Sequence, residues 1–295
     1  MANPMYGQNK ADDNISQASD VDKNFIHTSG SGLIIPGRHM FSNGTSYADA
    51  DPYSESATQL FPLGTTLDWG DRVFKYCQSN GGTTAGLLVQ GPPHVANHTN
   101  NLVTNEDAPA SGAFSHAAGS KKISIDTAGD TDLTLNQYAE GYLVVNDAEG
   151  EGQVMRIKSH PAHDHGVDPS VVITTYDPLA TTLVKNSSQL SLVPNPYSEV
   201  ITSPATTPTS NIVGVANIDM TDDYYAWIQV RGPRAVLASA SDLVIGNAAY
   251  RSVADAGGVI AGTNDAAGAV APYIGEVMAS GIVDTEYVLI WLNIM

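Results

Sequence analysis

The chain has 295 residues, with 13 Lys+Arg against 31 Asp+Glu and a formal charge of −18. That balance excludes a protein that grips nucleic acid through a broad basic face, because phosphate binding needs clustered cations. A single cysteine, Cys77, excludes an internal disulfide framework and a cysteine-built zinc site.

Hydrophobic residues make up 42% of the chain, enough for a sizeable core, and charged residues only 15%. A soluble domain usually carries roughly 25% charged residues. The surface must therefore be covered largely by Ser, Thr, Asn, Gln and Gly. Such a chain is either all-β with many turns or buries much of its surface against other subunits. No apolar run approaches the ~20 residues that span a bilayer as a helix. The start, Met1-Ala2-Asn3-Pro4-Met5-Tyr6, has neither the basic nor the apolar region of a signal peptide. Synthesis and retention in a cytoplasm are expected, where a lone thiol stays reduced.

In chain order, residues 1–30 are polar and weakly patterned. They cannot bury enough apolar area to offset backbone ordering at roughly 1–2 kcal/mol per residue. We expect an extended N-terminal arm that packs on a neighbouring subunit. Gly32-Leu33-Ile34-Ile35 is a short strand stopped by Pro36-Gly37. Residues 71–77 alternate, with Val73, Lys75 and Cys77 on one face and Arg72, Phe74 and Tyr76 on the other. Residues 81–86 hold too much glycine for a helix, and Gly91-Pro92-Pro93 and residues 97–105 are loop chemistry. Residues 122–126 and 132–136 alternate as strands do. The runs 142–145 and 153–158 flank a glycine-containing loop, a hairpin signal. Residues 171–176 are β-branched, and 190–193 end at Pro194.

Four prolines within 194–211 stop both helix and central strand. Beyond them come 224–230 and 234–237, split by Gly232-Pro233, then 243–245. A loose Ala/Gly/Asn/Asp loop over 254–272 holds short strands near 259–260 and 269–270, before the runs 274–278 and 286–292. Short strands at roughly ten-residue spacing predict an all-β chain. Its antiparallel strands would form a β-sandwich or a barrel-like domain, a β-tulip-like form included, with long loops. The expected divisions are an arm (1–30), a β-rich domain (31–195), a Pro/Thr-rich linker or crossing loop (196–211) and a β-rich C-terminal domain (212–295).

Few constellations suggest chemistry. His160-Pro161-Ala162-His163-Asp164-His165 puts three imidazoles and a carboxylate within six residues, and these are good zinc or iron ligands. Pro161 and Gly166 mark the stretch as a hairpin tip. Two readings stand: an exposed polar loop whose histidines can be replaced without loss of stability, or a metal site completed by His94 or His98. Paired acids such as Asp12-Asp13 and Asp222-Asp223 are expected by chance among so many carboxylates. Residues 146–151 lack the full calcium-loop spacing. No Gly-x-Ser-x-Gly elbow or phosphate-cradling loop occurs, and Cys77 reads as a buried structural thiol. No catalytic, cofactor-binding or metal residue is assigned.

The aromatics of the last quarter read as core or subunit-interface residues, with a sugar-binding platform as the other use. Tyr225, Trp227 and Gln229 share one face of their run, and Ala226, Ile228 and Val230 the other. Tyr287, Leu289 and Trp291 alternate in the same way with Val288, Ile290 and Leu292. A strand apolar on both faces is predicted to be buried on both, between two sheets or between a sheet and another subunit.

The run Tyr224-Tyr225-Ala226-Trp227-Ile228-Gln229-Val230-Arg231-Gly232 resembles a strand of tailed-bacteriophage virion structural proteins. So does the succession of an Ala/Gly-rich loop, the Ile274-Gly275 turn and the closing run from Asp284 to Leu292. Residues 138–147 with Gly150-Glu151-Gly152-Gln153, and the opening residues 3–12, are similar to the same group. The resemblance lies mainly in 120–160 and 215–295; residues 25–120 match nothing in that pattern. Within the group the chain is most similar to capsid decoration (cement) proteins. The resemblance implies a non-enzymatic subunit on the capsid exterior that clamps neighbouring capsomers. Its partners would be the major capsid protein and itself, as a homotrimer at three-fold positions, with no cofactor, direct nucleic-acid contact or membrane. The alternatives are a tail, neck, fibre or major shell protein, or a metal-dependent or glycan-cleaving enzyme using the histidine loop. A low charged fraction suits a subunit buried among copies, and the acidic charge suits the face of a shell turned away from DNA.

Overall fold

The computed structural model describes residues 27–29, 32–35, 50–104, 115–127, 131–168, 170–239, 243–262, 271–279 and 283–294. The strands are β1 (His27–Ser29), β2 (Gly32–Ile35), β3 (Thr66–Trp69), β4 (Arg72–Gln78), β5 (Leu88–Gln90), β6 (Asn101–Val103) and β7 (Ser115–His116). After them come β8 (Lys122–Asp126), β9 (Tyr142–Asp147), β10 (Val154–Ser159), β11 (Ser170–Thr175), β12 (Leu183–Val184) and β13 (Gln189–Val193). The chain continues with β14 (Ile201–Thr202), β15 (Ile212–Ala216), β16 (Tyr225–Leu237), β17 (Ala248–Arg251), β18 (Val259–Ala261), β19 (Tyr273–Val277) and β20 (Tyr287–Asn293). A single 3-10 turn, Ala96–His98, is the only helical segment among the described residues. None of their helices is long and apolar enough to cross a membrane. The all-β expectation holds.

Six strands close a barrel in the order β10-β11-β8-β6-β13-β9. The β9–β10 hairpin forms where the glycine-containing loop placed it, with Met155 opposite Leu143. Period-two alternation drives the closure. In β11, Val171, Ile173 and Thr175 are buried and the residues between them are not. Ile123, Ile125, Leu143, Met155, Ile157 and Leu192 fill the interior with them.

The remaining large sheet runs β1-β2-β3-β4-β16-β20-β19-β17-β18, with β15, β5 and β14 branching from β16. Its spine is β16. The first half pairs with β4, Trp227 opposite Tyr76, and the second with β20, Pro233 opposite Trp291. Gly232-Pro233 was expected to split this run, and it does not. Pro233 has no N–H to donate, and it lies past the last β4 pair, Arg231 with Val73. Gly232 has a φ of +86°, and a Cβ there would stand 2.1 Å from the Asp71 carbonyl oxygen. Only glycine meets both conditions at this change of partner.

The expected division at residue 195 is corrected. Residues 66–90 belong to the same sheet as 201–293, and the barrel, 101–193, is an insertion between them. The proline-rich segment is no free linker: β14 within it pairs with β5, and Gln78 N donates to Tyr197 O at 3.0 Å. Pairing partners lie more than a hundred residues apart, beyond what local pattern reports. The arm is corrected at its end, where β1 pairs with β2 of the same chain; residues 1–26 lie outside the described residues. Residues 132–136 form no strand. Leu133 alone pairs, with His163, and a turn follows. Residues 243–245 are not a strand, β18 forms as expected, and 269–270 lie outside the described residues.

Candidate functional site

The six aromatic and neighbouring residues singled out from the sequence fall into two environments. On β16, Trp227 is 2% exposed. Its ring sits 5.4 Å from Phe61 and 5.1 Å from Tyr76, and Tyr225 stacks on Tyr76 at 6.0 Å. Gln229 is buried, and its Nε2 donates to the carbonyls of Arg231 and Pro233, at 2.9 and 3.0 Å. Those two bonds satisfy the buried amide and fasten the chain where β16 changes partner. Burial on both faces, as expected, holds here.

On β20 it does not. Val288, Ile290 and Leu292 enter a core cluster with Val236, Ile274 and Val277. Tyr287, Leu289 and Trp291 point the other way and remain 46%, 37% and 37% exposed. The correction has a simple cause. β20 is flanked in its own sheet by β16 and β19, and core covers only one face of it. The Tyr287 ring rests on Gly86, where a Cβ would lie 2.5 Å from the ring. Leu237, Ala235 and Pro233 stand opposite Tyr287, Leu289 and Trp291 on β16, and Glu276 opposite Trp291 on β19. Met278, whose N–H donates to Leu289 O at 2.8 Å, is exposed beside that strand.

The histidine loop is also corrected. His160 is 3% and His163 8% exposed, so the stretch is no exposed hairpin tip. The loop is drawn in because His163 and Leu133 exchange both backbone hydrogen bonds, at 2.8 and 3.0 Å. His165 Nε2 lies 3.1 Å from Asp126 Oδ1. His160 Nε2 accepts the Tyr138 N–H at 3.0 Å, and its Nδ1–H donates to Pro161 O at 2.8 Å. The Tyr138 hydroxyl in turn bonds His98 Nδ1. Burial holds His98, His116 and His160 below the usual imidazole range. Among the described residues, no three His, Cys, Asp or Glu side chains converge on a point that could hold a metal ion.

A cavity of about 230 Å³ opens beside this cluster, between Pro92, Pro93, Val95, Tyr138, Pro194 and Glu199. It is below the ~300–1,000 Å³ usual for small-molecule sites. Cys77 is fully buried, and burial pushes its thiol far above the solution range. The buried histidine cluster is what sequence reasoning missed. One signal was present: six of the eight histidines fall between residues 94 and 165, in and around one barrel. The chain matches no family model, no curated protein and no solved structure.

Proposed function

We propose that this chain is a structural subunit of a tailed-phage virion, a non-enzymatic decoration protein. It binds the outer surface of an icosahedral capsid and clamps neighbouring capsomers as a homotrimer. One observation carries the proposal: β20, a strand within the sheet, turns Tyr287, Leu289 and Trp291 to solvent, with exposed Met278 hydrogen-bonded alongside Leu289. Protein interfaces are enriched in Tyr, Trp and Met and depleted in Lys, Glu and Asp at their centre. A contiguous exposed apolar patch marks a place where another molecule docks. The resemblance to phage virion proteins falls on the same strands, β16, β19 and β20, and on the β9–β10 hairpin. Together they support a shell subunit over an enzyme.

The test has two arms. Mass spectrometry of purified virions should count hundreds of copies; about a dozen or fewer would favour a tail or neck component instead. Purified chain carrying Leu289→Ser and Trp291→Ser together should keep its circular dichroism spectrum and fail to decorate capsids stripped of this subunit. Undiminished decoration by the folded double variant would reject this face as the docking surface.

A further inference from the structure

We propose that His160 is a proton-operated clamp on the turn that joins the barrel to the large sheet, so that acid loosens the joint while the sheet itself stays formed.

The turn over 134–141 is held from outside. Asn136 and Glu140 both sit in the left-handed region, at φ +58° and +61°, a conformation uncommon for non-glycine residues and least so for Asn. His160 supplies much of that constraint through three bonds. Its backbone N–H donates to Asn136 Oδ1 at 3.0 Å, its carbonyl accepts the Asn136 N–H at 3.2 Å, and its Nε2 accepts the Tyr138 N–H at 3.0 Å. At the far end of the turn Glu140 reaches the segment that leads into β3 and the one that leaves β13. Its carboxylate accepts the Leu63 N–H at 2.7 Å and the Gln59 side-chain N–H at 2.8 Å, and its carbonyl accepts from Asn195 Nδ2 at 3.0 Å. One turn therefore carries both the histidine contact and the bonds to the segments that lead from the barrel to the large sheet.

The bond from Tyr138 requires a bare Nε2. Nδ1 already bears the proton that goes to Pro161 O, so a second proton can land only on Nε2. Once there, it turns the acceptor into a donor facing a donor, and the Tyr138 N–H is expelled. The groups around the ring do not welcome the charge. His163 on the same loop adds a like charge when protonated. Beyond Tyr138 stand His98 and, behind it, His94, with the Asp132 backbone favouring a charge on His98. Glu199 faces Tyr138. Glu140 carries the opposite charge, engaged with Leu63, Gln59 and, at 3.5 Å, Arg156. Burial comes first among the causes that hold His160 neutral, the Pro161 carbonyl opposes it, and His163 adds to it.

The sign follows. A histidine titrating lower in the folded protein than when freed stabilises the closed turn fully above the free value of ~6.5, and that stabilisation is lost as pH falls. Opening should rise about tenfold per pH unit below ~6.5, until His160 charges within the folded state.

Hydrogen exchange on the full-length, isotope-labelled chain reads this directly, after correction for intrinsic pH dependence. Between pH 7.5 and 5, the Tyr138 and Glu140 amides should lose protection while Phe74 and Ile228, in the large sheet, keep theirs. In His160→Gln, which titrates nowhere in this range, the pH dependence at Tyr138 should fall, to what His98 on the Tyr138 hydroxyl contributes. A flat wild-type profile, an unchanged slope in His160→Gln, or loss of Phe74 and Ile228 protection in step with Tyr138 would overturn the proposal. If that variant does not fold, imidazole titration of the wild-type chain decides. Charging of His160 near 6.5 with the Tyr138 amide unmoved would equally sink the clamp.

Discussion

Trp227→Ala should be among the most damaging single truncations in this chain, because of where its ring lies. At 2% exposure it fills the space between Phe61 and Tyr76. A Trp side chain buries about 200 Å², which at ~25 cal/mol per Å² is an upper transfer term of ~5 kcal/mol. Measured truncations of buried aromatics cost ~3–5 kcal/mol, a large share of the 5–15 kcal/mol typical of a whole domain. Trp291 is the internal control. With 37% of its surface already in solvent, about two-thirds of that transfer term is at risk, ~3 kcal/mol at most. Urea unfolding followed by circular dichroism at pH 7.5 compares them without relying on tryptophan fluorescence. Trp227→Ala should lower the midpoint by roughly 1–2 M and exceed Trp291→Ala by ~2 kcal/mol. A loss below ~1 kcal/mol for Trp227→Ala, or one no larger than that of Trp291→Ala, would refute the assignment of the two faces.

Two further outcomes follow from the backbone and the core. Gly232→Ala combines a φ of +86° with a Cβ placed 2.1 Å from Asp71 O; it should cost ~2 kcal/mol or more, whereas Gly70→Ala, at φ +69° with nothing within 4 Å, should cost about 1 kcal/mol; equal thermal shifts would disprove the clash. Cys77 should be inert toward an aromatic disulfide reagent at pH 8 in the native protein and react with one equivalent in denaturant, because the thiolate that reacts is suppressed by burial; native-state labelling at the free-thiol rate would contradict it.

The local pattern settled most of the elements. β4, β8, β11 and β13 lie where alternation and β-branched runs put them, and the β9–β10 hairpin closes over its glycine loop. These follow from the two-residue period of a strand and from turn chemistry, which neighbours along the chain decide. Four outcomes needed the tertiary structure. β16 runs through Gly232-Pro233 because β4 ends there and β20 takes over as partner. The apolar residues of β20 divide into a buried and an exposed face because core packs against one side of β20 only, while the first half of β16 is covered on both. A periodicity of two says which residues share a face and not whether anything covers it. The histidine loop, polar and proline-marked in sequence, is buried because His163 pairs with Leu133 and the Tyr138 N–H finds His160 Nε2. Whether a histidine faces water or accepts a backbone N–H depends on a segment more than twenty residues away in the chain. The sheet strands β4 and β5 join β16 and β15 across the inserted barrel for the same reason: strand pairing is a non-local hydrogen-bond ladder, whose partners no local run of residues specifies.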